Sequence, residues 1–300
     1  MFNFKSDIQF INYFRLFNFI SLILILISVG FIFYKGLNFG VDFKGGTLIE
    51  LRVENAEIGI GDVRQSFIKM NLGDVNVKKF GKGNDYLIKF EQTDKNKENF
   101  IENIKTELSK NLGGSFSFRR VENVGPKVSG ELLKSGLIAI VLSLSAMLIY
   151  IWIRFEWQFS LGAIIALIHD VIITIGFFSI LEFEINLSIV AAVLTIVGYS
   201  MNDTVVIFDR VRENLKKYSS KSINEISNLS INETLSRTII TSLTTLLALL
   251  SIFFFGGKIL HGFSFAMILG VIFGTYSSIF IANPILIKLK VNQKSVLKGE

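Results

Sequence analysis

Apolar and charged positions along this chain are segregated into long blocks rather than mixed. Residues 16–34, between Arg15 and Lys35, carry no charge, nor do residues 135–153, between Lys134 and Arg154. The block 157–181 holds only Asp170, the block 185–208 only Asp203, the block 234–257 only Arg237, and the block 259–287 no charge at all. A helix rises about 1.5 Å per residue, so about 20 residues cross a hydrocarbon core of roughly 30 Å. The pattern therefore predicts six transmembrane helices, over 16–36, 131–154, 157–181, 185–208, 234–257 and 260–287. Six buried helices of a soluble core would need amphipathic partner helices to cover them, and the chain has none. The first block follows Lys5 and Arg15, as a signal peptide would. Its apolar run is too long for a signal peptide's core, and no small-residue cleavage site follows, so a retained anchor is expected.

Between the first two spans the pattern changes. Residues 37–130 contain Lys/Arg and Asp/Glu in near balance, as expected of a solvated domain. GTLIELRV alternates with period two and predicts a strand. GDVRQSFIKMN has helical spacing through Val63, Phe67 and Met70, with Asp62 as the expected N-cap. DVNVKKF and NDYLIKFE read as strands of a hairpin around Gly81, Gly83 and Asn84. KENFIENIKTELSKNLGG places Phe100, Ile104 and Leu108 on one helical face and ends in glycine. SFSFRRVENV supplies a last strand. The order β-α-β-β-α-β is that of an α+β ferredoxin-like domain.

Composition sharpens this picture. Half of the 300 residues are hydrophobic, 29 are Phe and only 19% are charged, below the roughly 25% of soluble chains. With no Cys, a disulfide scaffold, thiol catalysis and thiolate metal sites are excluded. The net charge of +6 could suggest nucleic acid, but the location of the basic residues argues otherwise. Lys5 and Arg15 precede span one, and Arg154 lies between spans two and three. Arg210, Arg212, Lys216, Lys217 and Lys221 lie between spans four and five, and Lys288, Lys290, Lys294 and Lys298 follow span six. The opposite connections, LEFEIN and FGGKILHGF, have only Lys258. An excess of Lys/Arg marks the cytoplasmic side. Segments 1–15, 209–233 and 288–300 are thus expected in the cytoplasm, and 37–130 in the periplasm. The basic excess serves topology and contact with anionic membrane lipids, with no nucleic acid partner.

Charges within spans cost roughly 2.5–3.5 kcal/mol each on insertion scales and tend to be functional. By depth, Asp203 and Arg237 fall at similar heights on sequential antiparallel helices, and an ion pair is expected. One reading is a static pair that fixes helix register. The other is a proton-responsive site: burial and a nearby guanidinium act oppositely on a carboxylate, so small helix movements would load and release a proton. Tyr199, Ser200, Asn202, Thr204, Thr238, Thr241, Ser242, Thr244 and Thr245 form a polar stripe beside the pair, with Asn202 and Thr241 as secondary candidates. Asp170 is a further candidate. It is expected to pack against polar groups of neighbouring spans, a proton role being the lesser reading. Its neighbour His169, about 100° away around the helix, is expected neither to face the same partner nor to form a metal site with it. Gly270, Gly274 and Gly198 are expected to permit close helix contact. No nucleotide-binding, serine-hydrolase or zinc-protease motif occurs. No enzymatic activity and no cofactor are expected, and any energy input would come from an ion gradient or a partner.

Several of these segments are distinctive. GLNFGVDFKGGTLIEL, VGPKVSGEL, RFEWQFSLGAIIALIHDVIITIGFF, INLSIVAAVLTIVGYSMNDTVVIFDRVREN, LSRTIITSLTTLLALLSIFFFGG and GTYSSIFIANP occur in this order. Through them, from about Leu37 to Pro284, the chain resembles the SecD/SecF family of bacterial protein-export membrane subunits, as its six-span SecF-type member. That family is related to the resistance-nodulation-division (RND) transporters. Ser129-Gly130 in VGPKVSGEL departs from the expected motif at one local turn. The resemblance implies an inner-membrane protein that pairs with SecD, associates with the SecYEG channel and uses the proton gradient, H⁺ being the coupling ion. It also implies help to exported polypeptide at a late stage of translocation. It places Asp203 and Arg237 in a proton pathway whose main carboxylate lies in SecD, so that this chain is one RND-like half. The alternatives are half of an RND-type exporter of small molecules or lipids, which would usually carry a second large periplasmic insertion, and a non-transport scaffold of the channel.

Overall fold

A computed structural model of the chain describes residues 8–55, 57–79, 83–91, 100–113, 116–293 and 296. Lys5, Gly81, Lys294 and Lys298, used above, lie outside the described residues. The chain divides into two compact units, Phe39–Gly136 and Met1–Asn38 with Leu137–Glu300.

The smaller unit contains four strands, β1 (Gly46–Val53), β2 (Val75–Lys79), β3 (Asp85–Phe90) and β4 (Phe116–Val124). They form one antiparallel sheet in the order β2-β3-β1-β4. With α3 (Ile60–Ile68) and α4 (Phe100–Leu112) this is the expected ferredoxin-like order. Alternation along β1 and β3 turns Ile49, Leu51, Tyr86 and Ile88 inward against Val63, Phe67, Ile104 and Leu108. Gly46 (φ +111°) must be glycine, because a Cβ would lie 2.7 Å from the Phe90 carbonyl oxygen.

Two local expectations are corrected. Asp62 is not the N-cap of α3. The cap is Gly59, and Asp62, three residues on, accepts the Gly59 N–H through Oδ2 at 2.9 Å, the half of a capping box that glycine can share. A short helix, α2 (Val41–Lys44), also precedes β1 where no element was expected.

The larger unit is helical: α1 (Phe14–Lys35), α5 (Pro126–Arg154, shared with the smaller unit), α6 (Trp157–Ile180), α7 (Leu187–Lys217), α8 (Ile223–Phe255) and α9 (Gly257–Ser277). A one-turn π-helix (Ser278–Ala282) leads from α9 into α10 (Asn283–Lys288). Among the described residues, six helices are long and apolar enough to cross a membrane. The stretch 209–233, read as a loop, is helical except for Tyr218–Ser222: α7 continues to Lys217 and α8 begins at Ile223. Ser222 caps α8 in a reciprocal box with Glu225, its N–H donating to Oε2 at 2.8 Å.

α6, α7 and α9 form the buried centre of this unit, whereas α1, α5 and α8 keep much apolar surface exposed. Small residues set the spacing. A Cβ at Gly176 of α6 would collide with Ser28 of α1, and one at Gly274 of α9 would lie 2.9 Å from the Ser200 Cβ of α7. Gly270 likewise lies against Ile196, but Gly198 has nothing within 4 Å and makes no such contact.

Candidate functional site

The central helices bring two carboxylates into the interior. Asp170 of α6 is completely buried, and Asp203 of α7 is 4% exposed.

Asp170 packs against polar groups of the neighbouring spans, and it also meets its neighbour His169, a contact that the divergence of adjacent residues did not suggest. His169, only 2% exposed, brings Nδ1 within 2.8 Å of Asp170 Oδ1. Adjacent Cα–Cβ bonds do diverge around a helix, but a five-membered ring and a carboxylate are long enough to lean together when both enter one seam. The other carboxylate oxygen, Oδ2, accepts Ser200 Oγ of α7 at 2.6 Å and Ser277 Oγ of α9 at 2.8 Å. One side chain of α6 thus holds two other helices. Tyr276 stacks on the His169 ring at 6.0 Å, and its hydroxyl donates to the Phe17 carbonyl and pairs with Ser21 of α1. His169 Nε2 is buried without a hydrogen-bond partner among the described residues.

Asp203 faces α8 and α9. Ser242 Oγ reaches its Oδ2 at a long 3.5 Å, and the same hydroxyl pairs with Thr275 Oγ1 at 2.6 Å. With the Ser242 proton directed at Asp203, Thr275 donates the second bond. The expected ion pair is not formed: no Arg237 nitrogen comes within 4.0 Å of an Asp203 oxygen. Arg237 is exposed on α8, close enough for its charge to act on Asp203 without contact. The buried Thr238 Oγ1 beside it in sequence has no partner. Helix phase explains the miss: equal depth brings two residues to one level, but Arg237 turns to the outer face while Ser242 turns inward.

The hydroxyls of the polar stripe differ in role, those of Tyr199 and Thr238 being buried without a hydrogen-bond partner among the described residues. Thr204, Thr241, Thr244 and Thr245 donate to carbonyls of their own helices, as hydroxyls in apolar surroundings do. Thr241 therefore does not join the site, and Asn202 is exposed. Ser200 and Ser242 do face carboxylates. Thr275, Tyr276 and Ser277 were missed by the sequence reading, although the run GTYSS inside an otherwise apolar span was a usable signal. In the π-helix that follows them, the Ser278 carbonyl also accepts Asn283 Nδ2 at 3.1 Å. Asn283 Oδ1 in turn accepts Ser227 Oγ of α8 at 2.9 Å. Among the described residues no group of three or more His, Asp or Glu is placed to hold a metal ion.

Comparison with known proteins fits this arrangement. Residues 104–292 match the family model of the protein export membrane protein SecD/SecF C-terminal region, and residues 30–57 match the SecD/SecF GG motif. The chain is 46% identical over 302 residues to the protein translocase subunit SecF of Rickettsia prowazekii, covering 99% of this chain and 96% of that one. To the SecF of Rickettsia bellii it is 48% identical over 283 residues, covering 94% and 93%. The crystal structure of SecDF, a translocon-associated membrane protein from Thermus thermophilus, matches with a TM-score of 0.86 at 33% identity, over 97% of this chain and 40% of that longer chain. A SecDF structure in a super-membrane-facing form matches over the same shares with a TM-score of 0.71. The six apolar helices, the antiparallel sheet domain and these matches agree: the chain belongs to the SecD/SecF family of protein-export membrane proteins, as a multi-pass, SecF-type translocase subunit of the bacterial inner membrane.

Proposed function

We propose that this chain, with a SecD-type partner, couples the proton gradient to late-stage translocation of exported polypeptide through the SecYEG channel. The observation that carries the reading is the α7–α8–α9 seam. A nearly buried carboxylate, Asp203, is held by hydroxyls on one side, and an arginine on the neighbouring helix meets no carboxylate among the described residues. An uncompensated guanidinium within a membrane span calls for a counter-charge, and a second subunit would supply it. Asp203 and Arg237 then form half of a proton site closed at the interface.

On this reading both termini and the Tyr218–Ser222 turn face the cytoplasm, and unit Phe39–Gly136 faces the periplasm, where it would meet the emerging chain. Asp203→Asn and Arg237→Met, expressed with the SecD-type subunit, are expected to assemble normally and to lose gradient-stimulated export. Normal export by both assembled variants would refute proton coupling here and leave the scaffold reading. The small-molecule exporter reading has less support, because the connection 181–186 and the single residue Gly256 between α8 and α9 hold no second large domain.

A further inference from the structure

The two buried carboxylates are linked through a closed polar circuit, and the linkage has a direction. Asp170 Oδ2 holds Ser200 on α7 and Ser277 on α9. Three residues after Ser200, on the same helix, stands Asp203. Two residues before Ser277, on the same helix, stands Thr275, which pairs with Ser242 beneath Asp203. The circuit therefore runs from Asp170 through Ser200 and α7 to Asp203, across Ser242 to Thr275, and through α9 and Ser277 back to Asp170. The contact of Gly274 with Ser200 keeps the two helices close enough for one carboxylate oxygen to accept from both. The π-helix begins at Ser278, directly after Ser277, and π segments often mark functional positions in a helix.

From this we infer that Asp170 is a positioning residue: by clamping α7 to α9 it sets the distance between Asp203 and its hydroxyl partners, and so sets the pH at which Asp203 exchanges its proton. The inference rests on the proton-coupled reading above and adds a residue, on a different helix, that governs the site without touching it. Its own bonds are all to buried groups, so it has no path to bulk water of its own. Titratable and charged neighbours are few. Arg237 acts on Asp203 from α8, and His169, backed by Tyr276 of α9, faces Asp170. The unpartnered Nε2 of His169 leaves the ring free to exchange tautomers if Asp170 is replaced by an amide.

The test reads Asp203 itself. Dicyclohexylcarbodiimide, a lipophilic reagent that modifies protonated carboxyls, is applied across a pH series to membranes containing the chain with its SecD-type subunit. Modification of the peptide carrying Asp203 is followed by mass spectrometry. Ser277→Ala and Asp170→Asn are expected to shift the midpoint of Asp203 labelling by about half a pH unit or more, and Ser277→Thr is expected to restore it. A role confined to folding would lower the amount of assembled complex and leave the midpoint of the assembled fraction unchanged, and that result would overturn the inference. Failure of the underlying reading is separately visible: Asp203→Asn would then export normally whatever the labelling midpoints do.

Discussion

Replacing Asp170 by Leu tests how much the α6–α7–α9 clamp contributes to the fold. The substitution removes three hydrogen bonds, from His169, Ser200 and Ser277. Interhelical hydrogen bonds in membrane proteins average about 0.6 kcal/mol and reach about 1.7, so the three together amount to roughly 2 kcal/mol and at most about 5. The serines are not stranded. Ser277 Oγ already reaches the Gly274 carbonyl at 3.2 Å, and Ser200 can turn back onto its own helix. His169 is stranded, because its Nε2 has no partner either, and an orphaned buried polar group costs about 1–3 kcal/mol. Burial of the leucine side chain returns about 1.5–3 kcal/mol. At the middle of these ranges the balance is a loss of about 2 kcal/mol, in keeping with the rule that removing one partner of a buried pair is worse than removing both. His169→Phe combined with Asp170→Leu should therefore recover most of the loss. The assay is reversible unfolding of the full chain in mixed micelles by titration with sodium dodecyl sulfate, run as a double-mutant cycle. A neutral single variant, or a double variant no better than Asp170→Leu, would refute the reasoning.

Three further outcomes follow from the packing and the topology. Gly46→Val places a side chain against the Phe90 carbonyl at a φ of +111°. It should cost about 1–3 kcal/mol of backbone strain and make residues 39–136 of the full chain cleave faster in limited proteolysis; unchanged cleavage counts against the close approach. Gly274→Val should push α9 from Ser200 and reduce the folded yield, whereas Gly198→Ala, which meets nothing within 4 Å, should be tolerated. Equal yields from the two variants would argue against the α7–α9 contact. Because the chain has no Cys, Ser219→Cys gives a unique thiol in the turn between α7 and α8. A membrane-impermeant thiol reagent should reach it only from the cytoplasmic face, and labelling from the periplasm would reverse the proposed orientation.

How legible these features were depends on what a sequence pattern reports. β1 over Gly46–Val53 was read to the residue from the alternation of residue types, although burial alternates only in its second half, where Glu50 and Arg52 are the partly exposed positions. The spans were readable because charge density reports where the chain leaves an apolar solvent. Charge density says nothing, however, about where a helix ends. Arg210 and Arg212 marked 209–233 as polar, and the backbone stays helical there because Asn214 Nδ2 meets Glu233 Oε2 at 2.7 Å and Arg210 Nε meets it at 2.6 Å, tying α7 to α8. The carboxylates were visible as isolated charges in apolar blocks. Their partners were not, because rotation about a helix axis decides whether a serine faces a carboxylate or its own carbonyls, and depth along the axis is blind to rotation. That blindness explains the error at the site, the Asp203–Arg237 pair that does not form, and why the His169–Asp170 contact was not foreseen.

The unformed pair is informative in itself. Suppose Arg237 had closed on Asp203 within this chain: two opposite charges would then neutralise each other in a static bond, and moving the helices would have to break it. In the structure Asp203 instead rests on hydroxyls, with one contact as long as 3.5 Å, and Arg237 points outward. Hydroxyls can donate to a carboxylate or accept from a carboxylic acid by rotating one bond, so the Asp203 pocket tolerates both protonation states with little rearrangement. An arginine stays charged throughout; facing outward, it can approach or leave Asp203 only when α8 shifts against whatever covers it. In the proposed complex the cover is the SecD-type partner, and the proton affinity of Asp203 would then follow the relative position of two subunits rather than an internal bond.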